Sequence, residues 1–117
     1  TEGDKHLWPD LINLYPPKSE QPSQQDLVDR LMFIQANESA KCYEENVVRS
    51  VADTNIGSIF GWGFAPQHGG TLQFINAMGM DEFIKRSREL SAKYGERFEP
   101  AQILLDMAAK GEAFSDD

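Results

Sequence analysis

The sequence has few of the residues that build disulfide scaffolds and metal sites. It contains one cysteine, Cys42, and two histidines, His6 and His68, among 117 residues. One cysteine cannot form an internal disulfide, which excludes the small secreted scaffolds and favours a reducing compartment, so we expect a cytoplasmic location. Neither histidine has a His, Cys or acidic neighbour at the spacing of a zinc or di-iron site, so no metal is predicted. Cys42 is interpreted as a small hydrophobe rather than a nucleophile.

Long apolar runs and excess positive charge are also missing. No run approaches the roughly 20 apolar residues of a membrane-spanning helix, so no membrane span is predicted. The chain has 11 Lys and Arg against 19 Asp and Glu, a net charge of −8. Nucleic acid is therefore not an expected partner, because binding a polyphosphate depends on neutralising it with basic side chains. An anionic ligand would need a local basic patch.

Prolines are concentrated at the N-terminal end, which predicts a proline-rich linker, or arm, over residues 1–22 and a helical domain over residues 23–117. Four of the six prolines fall in this first segment, so no long helix can propagate there. Six apolar residues in the linker are expected to pack along the folded body or a neighbouring domain. They are Leu7, Trp8, Leu11, Ile12, Leu14 and Tyr15.

Two capping patterns predict where the first two helices begin. Ser23 with Asp26, and Ser50 with Asp53, have the spacing of a capping box with Asp in place of Glu. Asn46 is predicted to end the first helix in a left-handed conformation. The predicted buried stripe of that helix is Val28, Met32, Ala36, Ala40, Tyr43 and Val47, widened by Leu27, Leu31 and Ile34.

Three more helices are predicted after the second, and no stretch alternates with the period of a strand. The second helix is marked by Ala52, Ile56, Ile59 and Phe60 and is expected to end at Gly61. The third is capped by Thr71 and closed by Gly79. The fourth runs from Met80 or Asp81 to Gly95 and buries Phe83, Ser87, Leu90 and Tyr94. The fifth has Pro100 in its first turn and ends before Gly111. We therefore predict an all-α fold of about five helices in one compact domain.

A glycine-rich loop lies between the second and third predicted helices. It lacks the dinucleotide fingerprint, because Pro66 stands where the third glycine should be and no strand precedes it. We interpret it as a structural corner in which chain segments approach closely and aromatic rings fill the gap; a ligand contact through His68 is the alternative, although this side chain is expected to be solvated. The loop residues assigned to the corner are Gly61, Gly63, Phe64, Gly69 and Gly70.

No catalytic constellation is predicted from the charged residues. Glu44 and Glu45 point about 100° apart on a helix and cannot form an acid/base pair. On the fourth helix, basic and acidic residues alternate along one face, which is typical of a solvated, salt-bridged side rather than an anion site. These residues are Arg86 and Lys93 with Glu82 and Glu89, joined by Glu96 and Arg97 if the helix extends past Gly95.

An ordered set of short motifs between Asp29 and Phe114 resembles the C-terminal helical domain of the 3-hydroxyacyl-CoA dehydrogenases. The likeness is closest to the last domain of the bifunctional enzymes of fatty-acid β-oxidation, which join an enoyl-CoA hydratase to the dehydrogenase. The motifs are Asp29-Arg30, Glu44-Glu45-Asn46-Val47-Val48, Asp53-x-x-Ile56-Gly57, Gly61-x-Gly63-Phe64, Gly69-Gly70, Gly79, and Tyr94-Gly95-x-Arg97-Phe98-x-Pro100.

The resemblance implies that this chain is part of an NAD-dependent oxidoreductase and is inactive by itself. In that family a Rossmann domain binds NAD and carries a His-Glu catalytic pair, and neither feature is in this sequence. The chain is therefore expected to hold no catalytic, cofactor-binding or metal-binding residue. Its implied role is domain pairing or dimerisation and support of the acyl-CoA site. The implied partners are the Rossmann domain and a first helical domain of the parent enzyme, or a second copy of this chain.

Two family positions depart from the pattern. Asp29, just before Arg30, stands where the active helical domain of the family has Asn, which favours a packing role, and Asn46 stands where the family usually has Gly. Two other functions remain open: a stand-alone helical interaction adaptor, or an acyl-CoA-binding module. The latter requires an unopposed basic pocket for the CoA phosphates.

Overall fold

Helix signals in the sequence become six α-helices in the computed structural model, which describes residues 6–116. The helices are α1 Leu11–Leu14, α2 Gln24–Glu44, α3 Val51–Trp62, α4 Thr71–Met78, α5 Met80–Tyr94 and α6 Gln102–Lys110, with 3-10 turns at Pro66–His68 and Glu96–Phe98. No strand occurs in the described residues, so the all-α prediction is confirmed. The five predicted helices correspond to α2–α6, and α1 is one additional turn inside the linker. The prediction that Pro100 lies in the first turn of the last helix is wrong, because α6 begins at Gln102.

Both predicted serine caps are present. The Ser23 hydroxyl accepts the Asp26 backbone N–H at 3.0 Å, and the Ser50 hydroxyl accepts the Asp53 N–H at 3.0 Å. The C-terminal segment completes the start of α3, because the carboxylate of Asp116 accepts the first two N–H groups of that helix at 2.6 and 2.7 Å. The donors left unpaired at the start of a helix are thus satisfied from two directions.

The cap predicted at Thr71 is wrong, because Thr71 is the first residue of α4. The capping group comes from another helix: the Asn55 side-chain oxygen accepts the N–H groups of Leu72 at 2.9 Å and Gln73 at 3.0 Å. The Ser58 hydroxyl accepts the Thr71 N–H at 3.2 Å. Three orphan donors of α4 are therefore satisfied by polar side chains on the inward face of α3.

Aromatic rings form the centre of the core between α2, α4 and α5. Phe33 and Phe83 stack with centroids 4.4 Å apart, and Phe74 meets both rings edge-on at 5.8 and 6.2 Å. Both arrangements are preferred by aromatic quadrupoles. The other fully buried large apolar residues are Leu72, Ile75, Leu90, Phe98 and Leu104.

The buried face of α2 differs from the predicted stripe. Ala36 and Ala40 are buried as predicted, but Val28 is 47% exposed and Val47 is 68% exposed. The core instead receives Phe33, which the stripe omitted. Apolar residues occupy more than one side of α2. Helical spacing by three and four residues groups them into sides, but it does not show which side packs against the aromatic core.

The face predicted for α3 is also wrong. Ile56 is 55% exposed and Phe60 is 86% exposed, whereas Thr54 and Ser58 are buried. The helix continues through Trp62, one residue beyond the expected end at Gly61. The polar face turns inward because it caps α4.

The apolar residues of the linker do not pack on the folded body. Their exposed fractions are 59% to 78% for Leu7, Trp8, Ile12, Leu14 and Tyr15, so that half of the prediction is wrong. Contact with a neighbouring domain stays a prediction.

Asn46 ends α2 as predicted, with a positive φ of 59°. The N–H of Val47 donates to the Cys42 carbonyl at 2.9 Å, and the N–H of Asn46 donates to the Tyr43 carbonyl at 3.2 Å. This pair of bonds is the Schellman motif, in which a left-handed residue closes the helix end.

Candidate functional site

An apolar groove runs between α2 and α3. Its volume is about 560 Å³, and both helices line it over more than two turns. Its lining residues are Gln35, Glu38, Ser39 and Cys42 of α2, Val47 and Val48 of the following turn, and Asp53, Thr54, Gly57, Gly61 and Trp62 of α3. The two acidic side chains, Glu38 and Asp53, lie on different helices, and the surface between them is predominantly apolar.

Two glycines one turn apart on α3 leave part of the groove wall without side chains. A Cβ atom added at Gly57 or Gly61 would meet no described atom within 4 Å. Gly61 was predicted to belong to the glycine corner, but the structure places it inside α3. These glycines therefore leave open space beside the helix, into which a neighbouring chain can approach closely.

A buried hydroxyl on the α2 wall has no partner. Ser39 is 3% exposed, and its Oγ atom has no hydrogen-bond partner among residues 6–116. A buried polar group without a bond costs about 1–3 kcal/mol, so such groups usually have a partner. Cys42 is half-buried one turn further on, and the Trp62 indole N–H donates to the Gln35 side-chain oxygen at 2.9 Å. The groove thus combines apolar walls with one unused hydrogen-bonding group.

Exposed apolar side chains flank the groove on both helices. We call Leu27, Val28 and Leu31 of α2, together with Ile56 and Phe60 of α3, the outer face; each is 46% to 86% exposed. Leu31 lies one helical turn before the groove residue Gln35, and Phe60 directly precedes Gly61. Leu27 and Leu31 also line a separate depression with Ile34 and Phe98. Clusters of exposed apolar side chains mark interaction sites more often than singly scattered ones do.

Within the glycine loop, close approach is required at one position. At Gly70, φ is 108°, and an added Cβ would come within 2.4 Å of the Asn55 Cβ and 2.5 Å of its Cα. Gly63 adopts a left-handed conformation with φ of 76° but faces open space. The loop therefore brings two segments together at Gly70, and this contact positions Asn55 to cap α4.

Aromatic packing surrounds the rest of the loop. Phe64 is 2% exposed and packs against Phe74, whereas Trp62 is 55% exposed. The His68 ring lies 5.1 Å from the Phe74 ring and 6.3 Å from the Phe64 ring, and the side chain is half-buried, so the expectation that it is solvated is only partly right. Gly69 follows with a positive φ of 73°. His68 is therefore part of the packed loop.

An ionic cluster joins α2 to α5. The Arg86 guanidinium donates to Asp26 and to Asp29, each at 2.7 Å, and Asp26 also accepts from the Tyr94 hydroxyl at 2.7 Å and from Lys93 at 3.1 Å. Arg86 was assigned to a solvated helix side; the structure instead places it between two helices, 22% exposed. The family-motif residue Asp29 is therefore held in an ion pair within the domain.

The cluster strongly perturbs its ionisable groups. Hydrogen bonds from Arg86, Tyr94 and Lys93, in that order, hold the pKa of Asp26 well below its usual range. The hydrogen bond between Arg86 and Asp26 raises the pKa of Arg86 above its usual value. The hydrogen bond between Tyr94 and Asp26 likewise raises the pKa of Tyr94. A carboxylate that accepts several charged or hydroxyl donors is stabilised in its ionised form.

Basic side chains line a second depression beside this cluster. Lys18, Arg30, Lys93 and Arg97 line it together with Tyr94 and one acidic residue, Glu20, and we call this depression the basic cleft. The Arg30 guanidinium lies 4.5 Å from the Tyr94 ring centroid. The family-motif residue Arg30 thus contributes to a local basic patch on an acidic chain.

Among residues 6–116 no group of three or more His, Cys, Asp or Glu side chains could hold a metal ion. Within the same range no helix is both long enough and apolar enough to cross a membrane. No protein-family model matches the chain.

Proposed function

We propose that this chain is a helical pairing domain of the type found at the C-terminus of the bifunctional NAD-dependent 3-hydroxyacyl-CoA dehydrogenases of fatty-acid β-oxidation. It joins another helical domain of the parent enzyme, or a second copy of itself, and thereby supports the acyl-CoA site. Chemistry and NAD binding belong to the Rossmann domain of that cytoplasmic enzyme. The resemblance between Asp29 and Phe114 supplies the family.

The inverted exposure of α3 carries this proposal. Ile56 and Phe60 face solvent, while Thr54 and Ser58 are buried. Exposure of large apolar side chains to water is unfavourable in an isolated domain. Covering them with another helical surface removes this cost and therefore favours association. When two copies of a domain meet through the same apolar face, they form a dimer with two-fold symmetry, which is the commonest homo-oligomer.

The position of Asp29 also supports a packing role. Its carboxylate accepts a charged hydrogen bond from Arg86 at 2.7 Å, and its side chain is 13% exposed. A carboxylate engaged in this way holds α2 against α5. In the active helical domain of the family, an Asn at this position lies near the catalytic His, so the exchange of Asn for Asp favours a structural role.

Sedimentation equilibrium over a range of protein concentrations tests the pairing role. We expect concentration-dependent self-association, and we expect Phe60→Asp to abolish it because a charge at the centre of an apolar contact is left unpaired. The matched control is Ala92→Asp, which adds the same charge at an exposed position of α5 outside the outer face. Monomers at every concentration would contradict pairing with a second copy, and equal effects of the two variants would contradict pairing through this face.

A second experiment tests the absence of chemistry in the isolated chain. Calorimetry with NAD should show no binding, and a spectrophotometric assay with a 3-hydroxyacyl-CoA should show no turnover. Turnover by the pure chain would overturn the proposal. The reading frame upstream of Thr1 tests the parentage: we expect a dinucleotide-binding fingerprint followed by a first helical domain.

The basic cleft favours one alternative function, an acyl-CoA-binding module. Arg30 and Arg97 line the cleft, and neither forms an ion pair with a described residue. If the alternative is correct, calorimetry will show an acyl-CoA binding to the chain, and Arg97→Gln will weaken this binding because it removes a phosphate contact. Binding of the CoA thioester but not of a free fatty acid would distinguish this function from simple adsorption to the apolar groove.

A further inference from the structure

An apolar arm and an apolar groove are both uncovered in the same chain. The apolar arm, residues 7–15, has six apolar residues out of nine, and five of its large side chains are 59% to 78% exposed. The groove between α2 and α3 has a volume of about 560 Å³ and contains the unpartnered hydroxyl of Ser39. Each surface has the chemistry that would cover the other.

We propose that the apolar arm of one copy lies in the α2/α3 groove of a second copy, and that the exchange is reciprocal. This inference deepens the proposed pairing function, on which it rests, by naming the segment that fills the groove. A reciprocal exchange follows the two-fold symmetry of most homodimers and leaves neither an arm nor a groove uncovered.

The arm has a defined local shape before it binds. The Leu11 N–H donates to the Trp8 carbonyl at 3.0 Å, and the Tyr15 N–H donates to the Leu11 carbonyl at 2.8 Å, which closes the single turn of α1. Pro16 and Pro17 follow, and consecutive prolines favour an extended chain that separates the arm from the body. A preformed turn lowers the ordering cost of binding.

The arm carries rings suited to an apolar groove. Trp8 and Tyr15 each join a large apolar ring to a hydrogen-bond donor, an indole N–H or a phenolic O–H, so the ring can enter the groove while its donor stays at the rim in contact with water. Gly57 and Gly61 provide the space for this close approach, because an added Cβ at either position meets no described atom within 4 Å.

The rings of the arm supply part of the area that a stable dimer needs. An aromatic side chain buries about 150–250 Å², so two rings per arm and two arms per dimer account for roughly 600–1,000 Å². Stable interfaces begin at roughly 1,200 Å². The remainder has to come from the aliphatic side chains of the arms, Leu7, Leu11, Ile12 and Leu14, and from the outer face beside each groove.

A directed disulfide tests where the arm lies, because Cys42 is the only cysteine and it lines the groove. One protein carries Asn13→Cys with Cys42→Ser, and the other is the unchanged chain. Mixed and treated with a mild oxidant, they should form a covalent heterodimer linked from the arm to Cys42. Ala109→Cys with Cys42→Ser, which places the thiol on α6 outside the groove, is the matched control and should form several-fold less.

The same test separates an arm in another copy from an arm in its own groove. A single chain with Asn13→Cys and native Cys42 should give covalent dimers. An intramolecular disulfide as the main product would overturn the exchange, and so would equal yields with the α6 control.

Two groove variants of equal helix preference test the site itself. Gly57→Ala and Gly57→Leu both replace glycine in α3 by a strong helix former, but only leucine fills the groove. We expect Gly57→Ala to dimerise normally and Gly57→Leu to weaken dimerisation at least tenfold, about the effect of losing one well-packed anchor. Equal dimerisation of the two variants would contradict the groove as the binding site.

Arm variants separate this inference from the proposed function. Trp8→Ala combined with Ile12→Ala should weaken dimerisation at least about tenfold, and Asn13→Ala should not. If dimers persist with both arm substitutions but are lost with Phe60→Asp, pairing through the outer face survives and arm exchange is wrong. If the unchanged chain is monomeric at all concentrations, arm exchange and pairing with a second copy are both wrong.

Discussion

α5 and α3 are amphipathic helices of similar length, but α5 buries its large apolar residues whereas α3 exposes them to solvent. In α5, Phe83 and Leu90 are fully buried, as an ordinary hydrophobic stripe predicts. In α3, Ile56 and Phe60 point to solvent, and the smaller Thr54 is buried. Apolar periodicity thus locates a helix and its apolar side, but it does not show whether that side meets the domain's own core or another surface.

Hydrogen bonds explain why α3 turns its polar side inward. Asn55 and Ser58 accept the first three N–H groups of α4, and these bonds require both side chains to face that helix. Gly70 passes so close to Asn55 that no side chain fits between them. Since α3 cannot cap α4 and bury Phe60 at the same time, its apolar side is left for another partner.

The largest expected effect compares one residue type in the two environments. Phe33→Ala should destabilise the fold by about 3–5 kcal/mol, because it removes a fully buried ring stacked on Phe83. Phe60→Ala should change stability by no more than about 0.5 kcal/mol in the monomer, since that ring is 86% exposed. Urea unfolding of both variants at low protein concentration measures the difference.

Protein concentration sharpens this first comparison. At concentrations where the chain associates, Phe60→Ala should become destabilising, because association contributes to apparent stability. Phe33→Ala should show its large effect at every concentration. Equal midpoints for the two variants would mean that the two phenylalanines do not differ in burial as described.

The next effect compares two glycines of the loop. Gly70→Val should cost more than about 3 kcal/mol, because both a positive φ and the contact with Asn55 oppose a side chain. Gly63→Val should cost less, about 1–2 kcal/mol, since a left-handed φ is its only obstacle. Thermal melts rank the two, and a Gly63 variant as unstable as the Gly70 variant would contradict this account. His68→Ala should destabilise the fold by less than either glycine substitution.

The ionic cluster gives a smaller, pH-dependent effect. Hydrogen bonds from Arg86, Tyr94 and Lys93 lower the pKa of Asp26 in the folded state. Its stabilising contribution is therefore complete above its unfolded pKa of about 4 and is lost as the pH falls below that value.

We expect Asp26→Asn to destabilise the fold at neutral pH, and we expect its difference from the unchanged chain to shrink below about pH 4. Urea unfolding over the range from about pH 7 to pH 3 measures this difference. Glu112→Gln, at an exposed position with no recorded ion pair among the described residues, is the control for general acid effects. A constant gap for Asp26→Asn across the range would mean that Asp26 is not held in its ionised form by this cluster.

Local signals explain how far the sequence predicted the fold. The caps at Ser23 and Ser50 and the left-handed stop at Asn46 depend on neighbouring residues only, so spacing was enough to find them. The cap of α4 was missed because its acceptor, Asn55, lies 17 and 18 residues before the groups it binds. Long-range contacts of this kind leave no periodic pattern in a single sequence.

The candidate site was harder to predict than the fold. Of the small residues in the middle of α2, Ser39 lines the groove, whereas Ala36 and Ala40 belong to the core. The spacing of Gly57 and Gly61 on α3 was the signal that could have indicated the groove, since glycines one turn apart in a helix lower the same side of it.

The smallest expected effect concerns the end of α2, where the local signal and the structure agree. Asn46 has a φ of 59°, a conformation that costs a residue with a Cβ more than it costs glycine. We expect Asn46→Gly to stabilise the fold by a few tenths to about 1 kcal/mol, partly offset by the greater entropy of glycine in the unfolded chain. Urea unfolding should show a higher midpoint with an unchanged slope. The matched variant, Glu45→Gly, replaces a residue with a φ of −82° and should destabilise. A lower midpoint for Asn46→Gly would show that the Asn side chain stabilises this turn by more than the left-handed conformation costs it.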